Sequence, residues 1–226
     1  KPLVEKYLAS LLSIGRTETF RDNGGAPPKG VVEKVVHKGV EPKANTIIDF
    51  TGACRSSPES RFAIRALVEL FQIKLTETLR EQLGGTYSPG VSGSCSRVPR
   101  QEYSIEVQFN SAPDNVEKLT KSVFALIDSI KATPPTQADV DKVKEEFLRA
   151  QEVNLKQNSY WLGNIIGREQ GGEDPAGLVG PYEVMIKGLT PAQIQEAAKT
   201  YLNTANYARF VLLPENGKTT PDGGTR

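Results

Sequence analysis

The residues whose types and spacing could do chemistry stand at one corner of the chain, Leu79-Arg80-Glu81-Gln82-Leu83-Gly84-Gly85-Thr86-Tyr87-Ser88. Arg80 falls in the last turn of a helical pattern, and Tyr87 opens the β-prone run that follows. The glycine pair between them lets the chain fold back, so that both side chains reach the same rim of a sheet. A guanidinium carries five donors and a phenol one donor and one acceptor. Together they can hold a peptide carbonyl and stabilise the charge that grows on its oxygen. The same residue types also serve structure: a cation complements the negative end of a helix dipole, and Tyr is a good strand former.

Other candidates have blander readings. Glu145, Glu146 and Glu152 lie on a long charged helical pattern, the mark of a solvated face. Tyr160-Trp161-Leu162 reads either as an exposed aromatic ridge or as helix packing. Arg55, Arg97 and Arg100 gather near loops. Gly171-Gly172 has no Lys-Ser/Thr after it and so is no phosphate loop.

The elements that must position the corner can be read from pattern. Residues 3–12 form a short helix, and 15–30, rich in Gly and Pro, a linker. Val31 to Val36 is β-prone. Residues 46–51 read as a strand. Ser57-Pro58-Glu59 combines a cap, a proline at the first helical position and an acid at the positive dipole end. The helix it starts carries an apolar stripe from Phe62 to Leu79 and ends at Gly84-Gly85. Strands follow at 86–94 and 103–109, the second alternating apolar and polar as a half-buried antiparallel strand does. Helices are expected from 112 to Pro134, over 136–157, 160–170, 182–187 and 190–202, and a last strand at 207–213. Few strands, long helices and one alternating strand give an α+β fold, an antiparallel or mixed β-sheet with helices packed on one face.

Composition narrows the function. The 226 residues are 38% hydrophobic and 24% charged, which is ordinary for a globular protein. Lys and Arg number 28 against 27 Asp and Glu; a balance this even gives no reason to expect nucleic acid as partner. No apolar run approaches the roughly 18 residues of a membrane span, so no membrane partner is expected. The chain has one His and two Cys. His37, Cys54 and Cys95 do not stand at metal-ligand spacing, so no metal is expected on this chain. Cys54 and Cys95 are compatible with a disulfide in an oxidising compartment and equally with two buried thiols. The first residue is Lys1 rather than Met, which suggests a piece of something longer.

The corner resembles the LREqlG-x-x-Y segment in the C-terminal domains of insulinase/pitrilysin-like zinc metallopeptidases, the inverzincins. Val4-Glu5-Lys6-Tyr7-Leu8-Ala9-Ser10-Leu11 is similar to that family's stretch leading into its last domain. Residues 113–119, 158–162, 197–203 and 211–215 resemble segments of its large bacterial members. The likeness runs in order over residues 3 to 215.

The resemblance implies α+β domains enclosing a proteolytic chamber. The first domain would carry zinc on the inverted motif H-x-x-E-H. The last would supply an Arg and a Tyr to the substrate backbone, and Arg80 and Tyr87 fall on those positions. This chain has no H-x-x-E-H, so it is expected to hold no zinc and to be inactive alone. Its partners would be a peptide substrate and an N-terminal zinc-bearing domain of the same polypeptide. Residues 1–40 would be lead-in helix and linker, 41–215 the C-terminal domain and 216–226 a flexible tail. The bacterial periplasm is the expected compartment. A non-catalytic scaffold or peptide-binding subunit of the same family is the alternative, and a free-standing α+β binding module a third reading.

Overall fold

The computed structural model describes residues 1–12, 14–15, 21, 23–83 and 89–215, with the side chains of 80–83 excepted. The flexible-tail expectation for 216–226 falls outside these residues.

The sheet is assembled around two strands whose residues alternate between core and half-buried positions. They are β2 (Ala44–Ala53) and β4 (Glu102–Ser111). They pair antiparallel from Ala44 opposite Ser111 to Ala53 opposite Glu102. On the covered face Ile48, Phe50, Ile105 and Val107 are fully buried. On the other face Ser104 Oγ donates to Asp49 Oδ1 at 2.6 Å and Asn45 Nδ2 to Asn110 Oδ1 at 2.9 Å. One face is therefore apolar and one polar, as the alternation in 103–109 requires.

Three further strands complete the sheet: β1 (Val31–His37), β3 (Gly90–Ser96) and β5 (Tyr207–Leu213). The order is β1-β5-β2-β4-β3, with β1 parallel to β5 and the other neighbours antiparallel. The strand at 31–37, read from sequence with the lead-in, is thus hydrogen-bonded into the sheet. Arg209 of β5 fastens it: its Nε lies 3.0 Å from Glu33 Oε1 and its Nη1 2.8 Å from Glu117 Oε1. The mixed sheet with helices on one side is the α+β architecture that the sequence pattern predicts.

Helices cover the apolar face. The central one is α2 (Pro58–Leu83). Ser57 Oγ accepts from the Ser60 amide at 3.2 Å, the cap expected before Pro58. Ile64, Leu67, Leu70, Phe71 and Leu75 on this helix are fully buried. Beside it lie α3 (Val116–Ala132), α4 (Gln137–Asn154) and α7 (Pro191–Tyr201). A single turn of 3-10 helix at Pro113–Asn115 precedes α3, where the sequence suggested one helix from 112. Both α4 and α7 open on capping boxes, Thr136 with Asp139 and Thr190 with Gln193.

The remaining helices are peripheral. They are α1 (Pro2–Tyr7), shorter than the 3–12 expected, α5 (Asn158–Gly171) and α6 (Gly180–Lys187). The 136–157 pattern ends early at Asn154 because the chain turns there, and Trp161 Nε1 donates to Leu155 O at 2.9 Å across the turn. The aromatic trio thus divides its roles: Trp161 is half-buried, whereas Leu162 is 64% exposed. Among the described residues no helix is long and apolar enough to cross a membrane.

Candidate functional site

The helix-to-strand corner is built by α2 running down the sheet and β3 returning along it. β3 is the edge strand beyond β4 and packs closely under α2. Gly93 makes that approach possible. A Cβ there would come 2.8 Å from Val68 Cγ2 and 3.0 Å from Ile64 Cγ2, both on α2. Glycine is the residue whose missing side chain lets two backbones meet this closely.

The strand side of the corner is pinned by Gln72. Its Nε2 donates to Pro89 O at 2.8 Å, and its Oε1 accepts from the Val91 amide at 2.8 Å. The two ends of one side-chain amide thus satisfy a backbone acceptor and a backbone donor at the start of β3. Thr76, one turn on, takes a further hydrogen bond from Gln72 Nε2 at 2.9 Å. Sequence reading missed Gln72; its only signal was a polar residue within the apolar stretch of α2, one turn before Thr76.

The helix side is tethered by charge. Lys74 Nζ lies 2.7 Å from Asp139 Oδ1 of α4. Asp139 is buried and also accepts from Thr136 Oγ1 at 2.7 Å. Burial raises its carboxyl, but the hydrogen bonds from Lys74 and Thr136 outweigh burial and hold it below the usual carboxylate range. Lys142 and Glu77, 3.5 Å apart, add a more exposed pair between the same helices.

Leu79, 1% exposed, is the last core residue among the described side chains of α2, and Arg80 follows it in the final helical turn. The side chain of Arg80 and residues 84–88, with Tyr87 among them, lie outside the described residues. The structure therefore describes the frame on either side of the predicted pair rather than the pair itself.

The described residues that could ligate zinc stand apart or are already engaged. His37, the single histidine, is exposed at the end of β1. Cys54, just beyond β2, and Cys95 of β3 are joined in a disulfide, with Cα atoms 6.0 Å apart, which resolves the two options left open by the sequence. Among the described residues no three His, Cys, Asp or Glu side chains gather as a metal would need.

Known proteins resemble the chain in both sequence and fold. It is 26% identical over 175 residues to a zinc protease PQQL-like protein of Arabidopsis thaliana, covering 71% of this chain and 18% of the relative. It is 24% identical over 136 residues to the chloroplastic stromal processing peptidase of Arabidopsis thaliana, covering 60% and 10%. The chain thus spans less than a fifth of the length of these relatives. Among solved structures, the ferredoxin protease FusC, in complex with Arabidopsis ferredoxin, gives a TM-score of 0.76 at 23% identity. That match covers 95% of this chain and 23% of FusC. The periplasmic protease PqqL from Escherichia coli gives 0.71 at 20% identity, over 95% and 24%. At these identities the likeness is one of fold. The family described as the peptidase M16 inactive domain matches residues 1–147, a stretch that takes in four of the five strands and the whole corner, and the chain belongs to that family.

Proposed function

We propose that this chain is the substrate-binding domain of a larger zinc-dependent peptidase, in which Arg80 and Tyr87 bind the peptide backbone beside the bond to be cut. The observation that carries the reading is the frame around the corner, in a chain of the M16 inactive-domain family. Arg80 stands in the last turn of a helix held by Lys74 and Asp139, and the strand beyond is held by Gln72. A site built between two fixed elements is the arrangement that holds donors where charge develops. The zinc, with its H-x-x-E-H ligands, would belong to another part of the whole protein, and the peptide would lie between that part and this one. The Cys54–Cys95 disulfide supports export to an oxidising compartment such as the bacterial periplasm.

The test is Tyr87→Phe in the full-length protein, which removes one hydroxyl and leaves the ring. The expected result is a fall in kcat/KM of tenfold or more, about 1.4 kcal/mol of transition-state stabilisation. Turnover within twofold of the parent, about 0.4 kcal/mol, overturns the role given to Tyr87.

A further inference from the structure

At the opposite end of α2 from Arg80, about 28 Å away along the helix axis, the described residues form a cleft of about 510 Å³. That volume is in the range of sites that take small ligands or a few side chains. Its width comes from α5, which turns Gly163, Gly167 and Gly171 toward it, one per helical turn. Gly163 and Gly167 have nothing within 4 Å of where a Cβ would stand.

The walls are strongly basic. Arg61 and Arg65 of α2, Arg97 beyond β3 and Arg168 of α5 line the cleft against one carboxylate, Glu173. Glu173 is engaged: Arg61 Nη2 donates to both its oxygens, at 2.8 and 2.6 Å, and Arg168 Nη1 lies 3.7 Å from Oε2. Both carboxylate oxygens are thus held by charge-assisted hydrogen bonds from one guanidinium nitrogen. Arg168 also donates to Asp174 O at 3.1 Å. Arg65 lies 5.3 and 5.4 Å from the ring centres of Phe147 and Tyr182, so its guanidinium is steadied by cation–π contacts. Glu69, on its own helix, interacts with it electrostatically but stands outside the cleft lining. Arg97 is exposed, and its Nη1 stops 3.5 Å from where a Cβ on Gly171 would sit. Neither Arg65 nor Arg97 has a carboxylate within ion-pair distance among the described residues. Four guanidinium groups facing one carboxylate leave the cleft short of negative charge.

We propose that this cleft binds the carboxylates of an acidic polypeptide segment, with Arg97 and Arg65 taking the charges that Glu173 leaves uncompensated and the glycine face of α5 admitting the chain. The choice of a polypeptide rests on the function proposed above; the need for carboxylates rests on the arginines.

The probe is a fluorescent, N-blocked hexaglutamate amide, titrated into the full chain at low salt and followed by anisotropy. A hexaglutamine peptide with a free C-terminal carboxylate, and the same peptide as its amide, distinguish side-chain carboxylates from a chain end. Binding of the hexaglutamate at least tenfold tighter than the uncharged peptide is expected, weakening as salt rises, whereas binding of the free C-terminus alone overturns the acidic-segment proposal. Arg97→Glu reverses an exposed charge, and Gly167→Leu fills the cleft with its charge unchanged. Both are expected to weaken binding more than threefold. No preference for carboxylate, or a loss of threefold or less with either variant, overturns the proposal. The assay involves no turnover, so carboxylate binding alongside an unaffected Tyr87→Phe enzyme would sink the catalytic reading and leave the cleft standing.

Discussion

Reduction of the Cys54–Cys95 disulfide tests the fold most directly. The two residues are 41 apart in sequence, and the loop they close contains all of α2 and the corner that follows it. In the chain-entropy account, a cross-link over a loop of that length removes about 4 kcal/mol of disorder from the unfolded state. For a chain of this size that corresponds to roughly 8–16 °C in melting temperature. The assay is urea unfolding followed by circular dichroism, with and without dithiothreitol, alongside the Cys54→Ala/Cys95→Ala double variant. Both perturbations remove the same constraint, so both should lower the unfolding free energy by a similar amount. Both sulfurs are in the disulfide, so a thiol reagent should find no free cysteine in the unreduced protein, folded or denatured. The reasoning is refuted if reduction changes the unfolding free energy by less than about 1 kcal/mol. It is refuted equally if unreduced, denatured protein titrates two thiols.

The same frame yields sharper, local tests. Gly93→Val would push methyl groups into Val68 and Ile64 and should lower the urea midpoint, at an unchanged m-value, by about 1–3 kcal/mol of stability. Gln72→Ala leaves Pro89 O and the Val91 amide without their partner, at a cost of about 1–3 kcal/mol. Hydrogen exchange at Val91 should quicken while the β4 amides hold; equal protection at Val91 would show that the pin is dispensable. Asp139 has its carboxyl held down in the folded state, so its contribution is present above the unfolded value near pH 4 and is lost as pH falls through the lower folded value. The stability advantage of the parent over Asp139→Asn should therefore be constant from about pH 5 upward and shrink below about pH 4. An advantage that does not change with pH would rule out the charged Lys74–Asp139 pair as its source.

Much of the architecture is legible in local pattern. The alternation of Tyr103 to Phe109 announces a sheet covered on one face, and Ser57-Pro58 announces where the central helix begins. What pattern could not convey is pairing across distance. The run at 31–36 is β-prone by composition, but its partner is β5, and Gly30 N–H donates to Asn206 Oδ1 at 2.7 Å across 176 residues of chain. Cys54 and Cys95 leave a disulfide and two buried thiols both open in sequence, because a spacing of 41 has no geometric preference. At the site, the placing of Arg80 in the last turn followed from the glycine pair that ends the stripe. The arginine cleft was beyond reach. Arg97 stands in sequence near Arg55 and Arg100, but its cleft companions Arg61, Arg65 and Arg168 come from two separate helices, and Glu173, which Arg61 binds, is 112 residues from Arg61.

The position of β5 has a consequence for how the molecule is made. It is the last strand among the described residues, yet it lies inside the sheet, between β1 and β2. On a ribosome, the first strand emerges with no edge to join, and β2 waits with one side of its ladder bare. Only when residues 207–213 are free can the gap be filled. Even with the helices packed on β2, β4 and β3, that three-stranded platform shows an open edge to any other chain until its final piece slots in. The sheet is therefore complete only once residues 207–213 have joined it, and a chain halted before Tyr207 keeps that edge of β2 open to aggregation.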